Sequence, residues 1–235
     1  MIRRIFLLAC VPVVAACAGT ATAPGQAASS GFNPSQLAKT DIDRVAEAHQ
    51  REIFVNLKLL TEKLYRRNPR ELKKSGHTNV AAGVARIFEG LHGWKFAELQ
   101  GTRGTQAIQL ALREDFQGDR VLAFVAGLGG MIQTAFHDKT EFFILDDLEP
   151  QGLYNAARNV EIAVWKLSNA RNARGELLLL SNEGAGTVRN LSFEREFGKV
   201  IAGLDVLSKI VADKDNRTVV RIIQSLATAV FLPVK

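Results

Sequence analysis

Between Val121 and Phe136 the chain reads VLAFVAGLGGMIQTAF, sixteen residues without a charge and the most apolar internal segment of the sequence. A helix that is apolar on all sides has to be covered on all sides. The segment falls short of the about 20 residues a membrane span needs, and Gln133 and Thr134 interrupt it. It is therefore expected to be a central buried helix, with Asp119 as its N-terminal cap. Gly127, Gly129 and Gly130 lie within it, and each costs about 1 kcal/mol relative to alanine in a helix interior. A second helix approaching closely over their bare backbone is the simplest feature that would offset this. A glycine-rich nucleotide loop fits poorly, because no strand and no phosphate-binding lysine flank the glycines.

The rest of the chain supplies candidate covers, since apolar residues recur at helical spacing. Thr40 opens a helix reaching about Arg67, with Asp41 and Asp43 in its first turn, where the helix dipole favours acids. Its stripe is expected to be Ile42, Val45, Ile53, Leu57, Leu60 and Leu64. Asn33-Pro34 and Asn68-Pro69 both read as helix starts with proline at the first position, the second helix ending at Gly76. Further helices are expected over 77–90, capped by Thr78, over 105–116, and from Pro150 to about Asn169. Ser192 is expected to cap another, with Phe193, Phe197, Val200, Leu204, Leu207 and Val211 on one face. Asn216 would open the last, with Val219, Ile222, Ile223, Leu226 and Val230 on its stripe until Pro233. Periodicity leaves open whether 140–148 and 176–181 are strands or short helices. The sum is an all-α fold: one domain over 32–235, an irregular bundle or stack of six or more amphipathic helices.

The first residues carry a different message. Arg3 and Arg4 precede an uncharged, mostly apolar run from Ile5 to Val14, followed by Ala15, Ala16 and Cys17. A charged start, a short apolar middle and a small-residue exit are the parts of a secretory signal. The exit Val14-Ala15-Ala16-Cys17 resembles the lipobox of bacterial lipoprotein signal peptides. That resemblance implies removal of residues 1–16, a diacylglyceryl group on the Cys17 sulfur and an acyl group on its new amino terminus, with membrane lipid as the first partner. It also implies sorting to the outer membrane of a Gram-negative host, since Ala18, and not aspartate, follows the cysteine. Two or more acyl chains give lasting residence where one is marginal. An ordinary signal peptide cut after Ala16 or at a later alanine, and a retained membrane helix, are the competing readings. Residues 17–31 are small, polar and uncharged and read as a flexible linker.

Charge and cysteine content narrow the function. The net charge of +6 falls by two once Arg3 and Arg4 leave. That is milder than a nucleic-acid binder requires, and it suits residence beside anionic lipid. Cys10 and Cys17 are the two cysteines, so the body has no thiol for a disulfide, a metal or a nucleophile. Lys63, Arg66, Arg67, Arg70, Lys73 and Lys74 form the densest basic cluster, against Glu62 and Glu71. They either meet an anionic surface or are the solvated ends of two helices.

Catalytic and metal signatures are absent: there is no G-x-S-x-G, H-E-x-x-H or dinucleotide fingerprint. The four histidines are dispersed, His49 beside Glu52 and Asn56 being the nearest approach to a constellation. Asp146, Asp147 and Glu149 read as an acidic lead-in to the next helix and lack the alternating ligands of a calcium loop. No catalytic residue, metal or cofactor is expected beyond the acyl groups on Cys17. The expected function is a membrane-anchored envelope lipoprotein acting as a non-enzymatic scaffold or binding protein, with an envelope protein as its further partner. The alternatives are a lipid or small-molecule carrier with an apolar pocket between helices near Gly127–Gly130, and an envelope hydrolase using His49 or His137.

Overall fold

Thr40 starts the first helix through a reciprocal cap. Its hydroxyl accepts from the Asp43 amide at 3.2 Å, and the Asp43 carboxylate accepts from the Thr40 amide at 2.6 Å. The computed structural model describes residues 39–144, 146–183 and 190–234. The signal segment, Cys17, the linker at 17–31 and the helix start at Asn33-Pro34 lie outside the described residues. Within them are seven α-helices and no strand: α1 (Asp41–Arg67), α2 (Pro69–Lys74), α3 (Val80–Phe88), α4 (Gly104–Ala111), α5 (Arg120–Ala135), α6 (Pro150–Asn169) and α7 (Ser192–Lys214). The fold of the described residues is all-α.

Helix α5 is the core. Every residue of it except Thr134 is buried. It lies chiefly against α4 and also touches α1, α6, α2 and α3, while α7 packs between α1 and α6. Its glycines sit where neighbours come closest. A Cβ on Gly127 would stand 2.6 Å from the Ile108 amide nitrogen and 2.8 Å from the Gly104 carbonyl oxygen, both on α4. At Gly129 a Cβ would run into the indole of Trp94, so there the close neighbour is a ring and not a helix. Trp94 takes a left-handed backbone, φ 62°, and is seated by stacking on Phe54 at 5.4 Å and edge-on to Phe88 at 5.6 Å.

The start of α5 is tied to α1 and α2 through a buried polar knot. Asp119 accepts from the amides of Val121 and Leu122 at 2.8 and 3.0 Å, from the Tyr65 hydroxyl at 2.7 Å and from the Ser75 hydroxyl. Burial pushes the Asp119 carboxyl above its ordinary range, and its hydrogen bonds favour the ionised form. Glu71 accepts from the Arg120 amide at 2.8 Å. The Arg120 guanidinium donates to the carbonyls of Ala111, Arg113, Glu114 and Phe116.

Several expectations need correction. The run over 105–116 stops being helix at Ala111, because Arg120 takes the carbonyls beyond it. Helix α3 is capped by Asn79, whose side-chain oxygen accepts from the Ala82 amide at 2.7 Å, and not by Thr78. Ser192 is the first residue of α7 and not its cap; Asn190 and Asn182 accept from the Ser192 and Phe193 amides. On α1, Val45 is exposed while Asp43, Ala46 and Gln50 turn inward, Gln50 donating to the Lys139 carbonyl at 2.7 Å. The described parts of 140–148 are turns and irregular chain, and 176–181 contributes one isolated bridge, Leu177 to Arg171. The largest departure is the last one. Residues 217–234 form no helix; they run as an irregular arm with a turn at 226–228.

Candidate partner-binding surface

The arm is held by a ladder of side-chain amides. Gln151, Asn155 and Asn159 stand at four-residue intervals on α6, which places them on one face. The Gln151 amide group accepts from the Val220 amide at 2.8 Å and donates to the Val220 carbonyl at 3.2 Å. Asn155 donates to the Pro233 carbonyl at 2.8 Å. Asn159, with no exposed surface, donates to the Leu232 carbonyl at 2.8 Å and accepts from the Leu232 amide at 2.6 Å. The Tyr154 hydroxyl accepts from the Ile222 amide at 3.3 Å. Paired donor and acceptor atoms on one residue are what a neighbouring strand offers, so the arm gains strand-like partners without a sheet. Its sequence suits this: Val219, Val220, Ile222 and Ile223 are β-branched and lose side-chain freedom in a helix.

The root of the arm is fixed by charge. Arg217 donates to Asp147 at 2.7 Å and to Glu149 at 3.4 Å. The Arg217 side chain beside it holds the Asp147 carboxyl below the usual range. Asp146 turns to Lys139 instead, so the three acids divide between two cations and do not converge on a common centre.

Between its root and its end, where Ala229 and Leu232 are buried, the arm turns large apolar side chains outward. Ile223 is 98% exposed, Val230 68% and Val220 65%. Beside it runs an open groove of about 280 Å³, with Ile162 and Tyr154 of α6 on one side and Ile222 and Leu226 of the arm on the other. The charges nearby are unequal. Arg158 is paired with Asp205 at 2.6 Å and with Glu161 at 3.1 Å. Lys209 and Arg221, exposed beside the same stretch, have no ion-pair partner among the described residues.

The residues singled out from the sequence fall elsewhere. In the basic cluster, Arg66 pairs with Glu62 at 2.5 Å, Arg67 with Glu183 at 3.3 Å and Lys74 with Glu71 at 2.8 Å. Lys63 lies 5.9 Å over the Phe193 ring. Arg70 and Lys73 are exposed and make no ion pair among the described residues. His49 is not joined to Glu52 or Asn56: Asn56 donates to the Glu52 backbone carbonyl at 2.7 Å. His137 is exposed with φ 55°, while Asp138 beside it binds Arg103 at 2.6 Å. Among the described residues no histidine hydrogen-bonds a carboxylate, and no group of three acidic, histidine or cysteine side chains converges for a metal. No described helix is long and apolar enough to cross a membrane.

Sequence reasoning missed the ladder. The available signal was three amide residues at four-residue spacing on a helix whose other inward positions are apolar. Neither a protein-family model, nor a curated protein, nor a solved structure matches this chain.

Proposed function

We propose that the chain is a lipid-anchored envelope protein, held at the membrane by acyl groups on Cys17, whose helical body binds a protein partner and performs no covalent chemistry. The observation that carries this reading is the arm, where large apolar side chains stand in solvent on a surface that the body holds in place. Exposed apolar patches of this kind mark interaction sites, and an arm fixed by Gln151, Asn159 and Arg217 is pre-ordered, so binding loses less entropy. The carrier alternative gains no support near Gly127–Gly130, because Ile108 and Trp94 fill the space over Gly127 and Gly129. Arg70 and Lys73 are the members of the basic cluster with charge free to meet anionic lipid, at about 1 kcal/mol each near such a surface.

The test is photo-crosslinking in cells with the reactive group at position 223, comparing the native chain with Cys17→Ala. One defined protein captured from the anchored form, and lost with the anchor, supports the reading. Capture of lipid alone would replace it with carriage. Intact-mass measurement of the native product reads the anchor directly, as a chain beginning at Cys17 with acyl mass attached.

A further inference from the structure

We propose that residues 218–224 are a free β-edge that accepts an extended, acidic peptide as an added strand. The inference rests on the partner-binding reading above and names the chemistry of the partner. In extended chain the amide and carbonyl of one residue point to one side and those of its neighbours to the other. The arm follows that alternation. Val220 and Ile222 turn their amides to the body, onto Gln151 and Tyr154. The amides of Val219, Arg221 and Ile223 make no hydrogen bond among the described residues, nor do their carbonyls. On the inner side α6 takes both backbone groups of Val220 and the amide of Ile222, while the outer side is an open row of donors and acceptors. Such an edge is a template for another strand, and strand addition takes its affinity from main-chain hydrogen bonds.

Charge selects among possible strands. Lys209 and Arg221 are exposed, without an ion pair among the described residues and adjacent to Val219, while Arg158 is shared between Asp205 and Glu161, so the two free cations leave this stretch with an excess of positive charge. An incoming strand with carboxylates at alternate positions can pair with both cations. Its intervening apolar side chains can enter the groove between Ile162 and Leu226. A basic strand meets two like charges, and a second copy of this chain would bring Arg221 towards Arg221.

The probe is a fluorescein-labelled octapeptide of alternating valine and glutamate, added to the purified full chain in detergent micelles and followed by anisotropy. Saturable binding is expected, at least about tenfold tighter than for an octapeptide of alternating valine and lysine. Arg221→Glu combined with Lys209→Glu is expected to weaken it by about tenfold or more. Ile223→Pro removes an unpaired amide at a 98% exposed position, so it should abolish binding and leave the thermal midpoint unchanged. Backbone N-methylation of alternate peptide residues should abolish binding too. Equal binding of the two peptides, or indifference to N-methylation, overturns the proposal. A concentration-dependent dimer in sedimentation that Ile223→Pro dissolves also overturns it, since the edge then belongs to a second copy. If the peptide fails while crosslinking at position 223 still captures a defined protein, this inference falls and the partner-binding function stands.

Discussion

Asn159 binds Leu232 twice, donating to its carbonyl at 2.8 Å and accepting from its amide at 2.6 Å, in a site with no exposed surface. One side chain on α6 thereby does for the end of the arm what a neighbouring strand would do. Replacing it leaves two buried backbone groups without partners, at about 1–3 kcal/mol each. Asn159→Leu is expected to lower unfolding stability by about 2–4 kcal/mol, read as a lower urea midpoint with an unchanged slope. A shift below about 0.5 kcal/mol would mean that the arm detaches without consequence for the body.

Gly127 and Gly198 make a matched pair of tests. Alanine gains about 1 kcal/mol over glycine in a helix interior. At Gly198 on α7 nothing lies within 4 Å of the added carbon, so Gly198→Ala should stabilise by up to about that amount. At Gly127 the added carbon meets the Ile108 amide nitrogen at 2.6 Å, backbone that cannot turn aside. Gly127→Ala should destabilise by about 1–3 kcal/mol, the usual cost of overpacking. Thermal unfolding of the two variants side by side checks the sign of each.

His92 gives the fold a pH dependence. Burial lowers its pKa, with a smaller contribution from Arg86 in the same direction and an opposing pull from the Ile87 carbonyl. The ring lies 4.4 Å from Phe96, and its Nδ1 accepts from the Trp94 amide at 3.0 Å, a bond that the protonated ring cannot accept. With the folded pKa below the unfolded one, the unfolded chain binds the proton more readily. Stability is then full above about pH 6.5, the ordinary histidine value, and declines as pH falls through that value towards the folded pKa. His92→Phe should lack this decline. Denaturant midpoints at pH 7.5 and pH 5.5 distinguish the two proteins; parallel curves would remove the assignment.

Arg70 and Lys73 are the exposed cations of the basic cluster with no ion-pair partner among the described residues; Lys63, also without an ion pair, is half-buried over the Phe193 ring. Arg70→Glu with Lys73→Glu should reduce binding of the soluble body to vesicles rich in phosphatidylglycerol by about tenfold or more, at about 1 kcal/mol per charge. Arg66→Glu with Arg67→Glu, the same change in charge, should reduce it less, since these two are already paired with Glu62 and Glu183. Equal effects of the two double changes would show that the surface is read by total charge alone.

How much of this could be read from the sequence depended on how local the cause was. The Thr40–Asp43 cap, the proline starts of α2 and α6, and the Asp119 cap of α5 all lie within a few residues of what they organise. Those helices were accordingly legible, as was the burial of the uncharged run. The misplaced ends were set by side chains outside the periodic run itself: Arg120, 4 to 9 residues on, takes the carbonyls that would have extended α4, and Asn182, 11 residues before Phe193, replaces Ser192 at the start of α7.

The sequence alone therefore determined that amphipathic helices gather around Val121–Phe136, because a long uncharged run must be covered and those helices have no other apolar face to bury. Only the tertiary structure decided the fate of residues 217–234, whose spacing of Val219, Ile222, Ile223 and Leu226 suits a helix as well as an arm. Periodicity records which residues are apolar and is blind to a hydrogen-bond partner 69 to 78 residues away. Gln151, Asn155 and Asn159 offered the arm's backbone partners from outside, and that choice placed Ile223 in solvent.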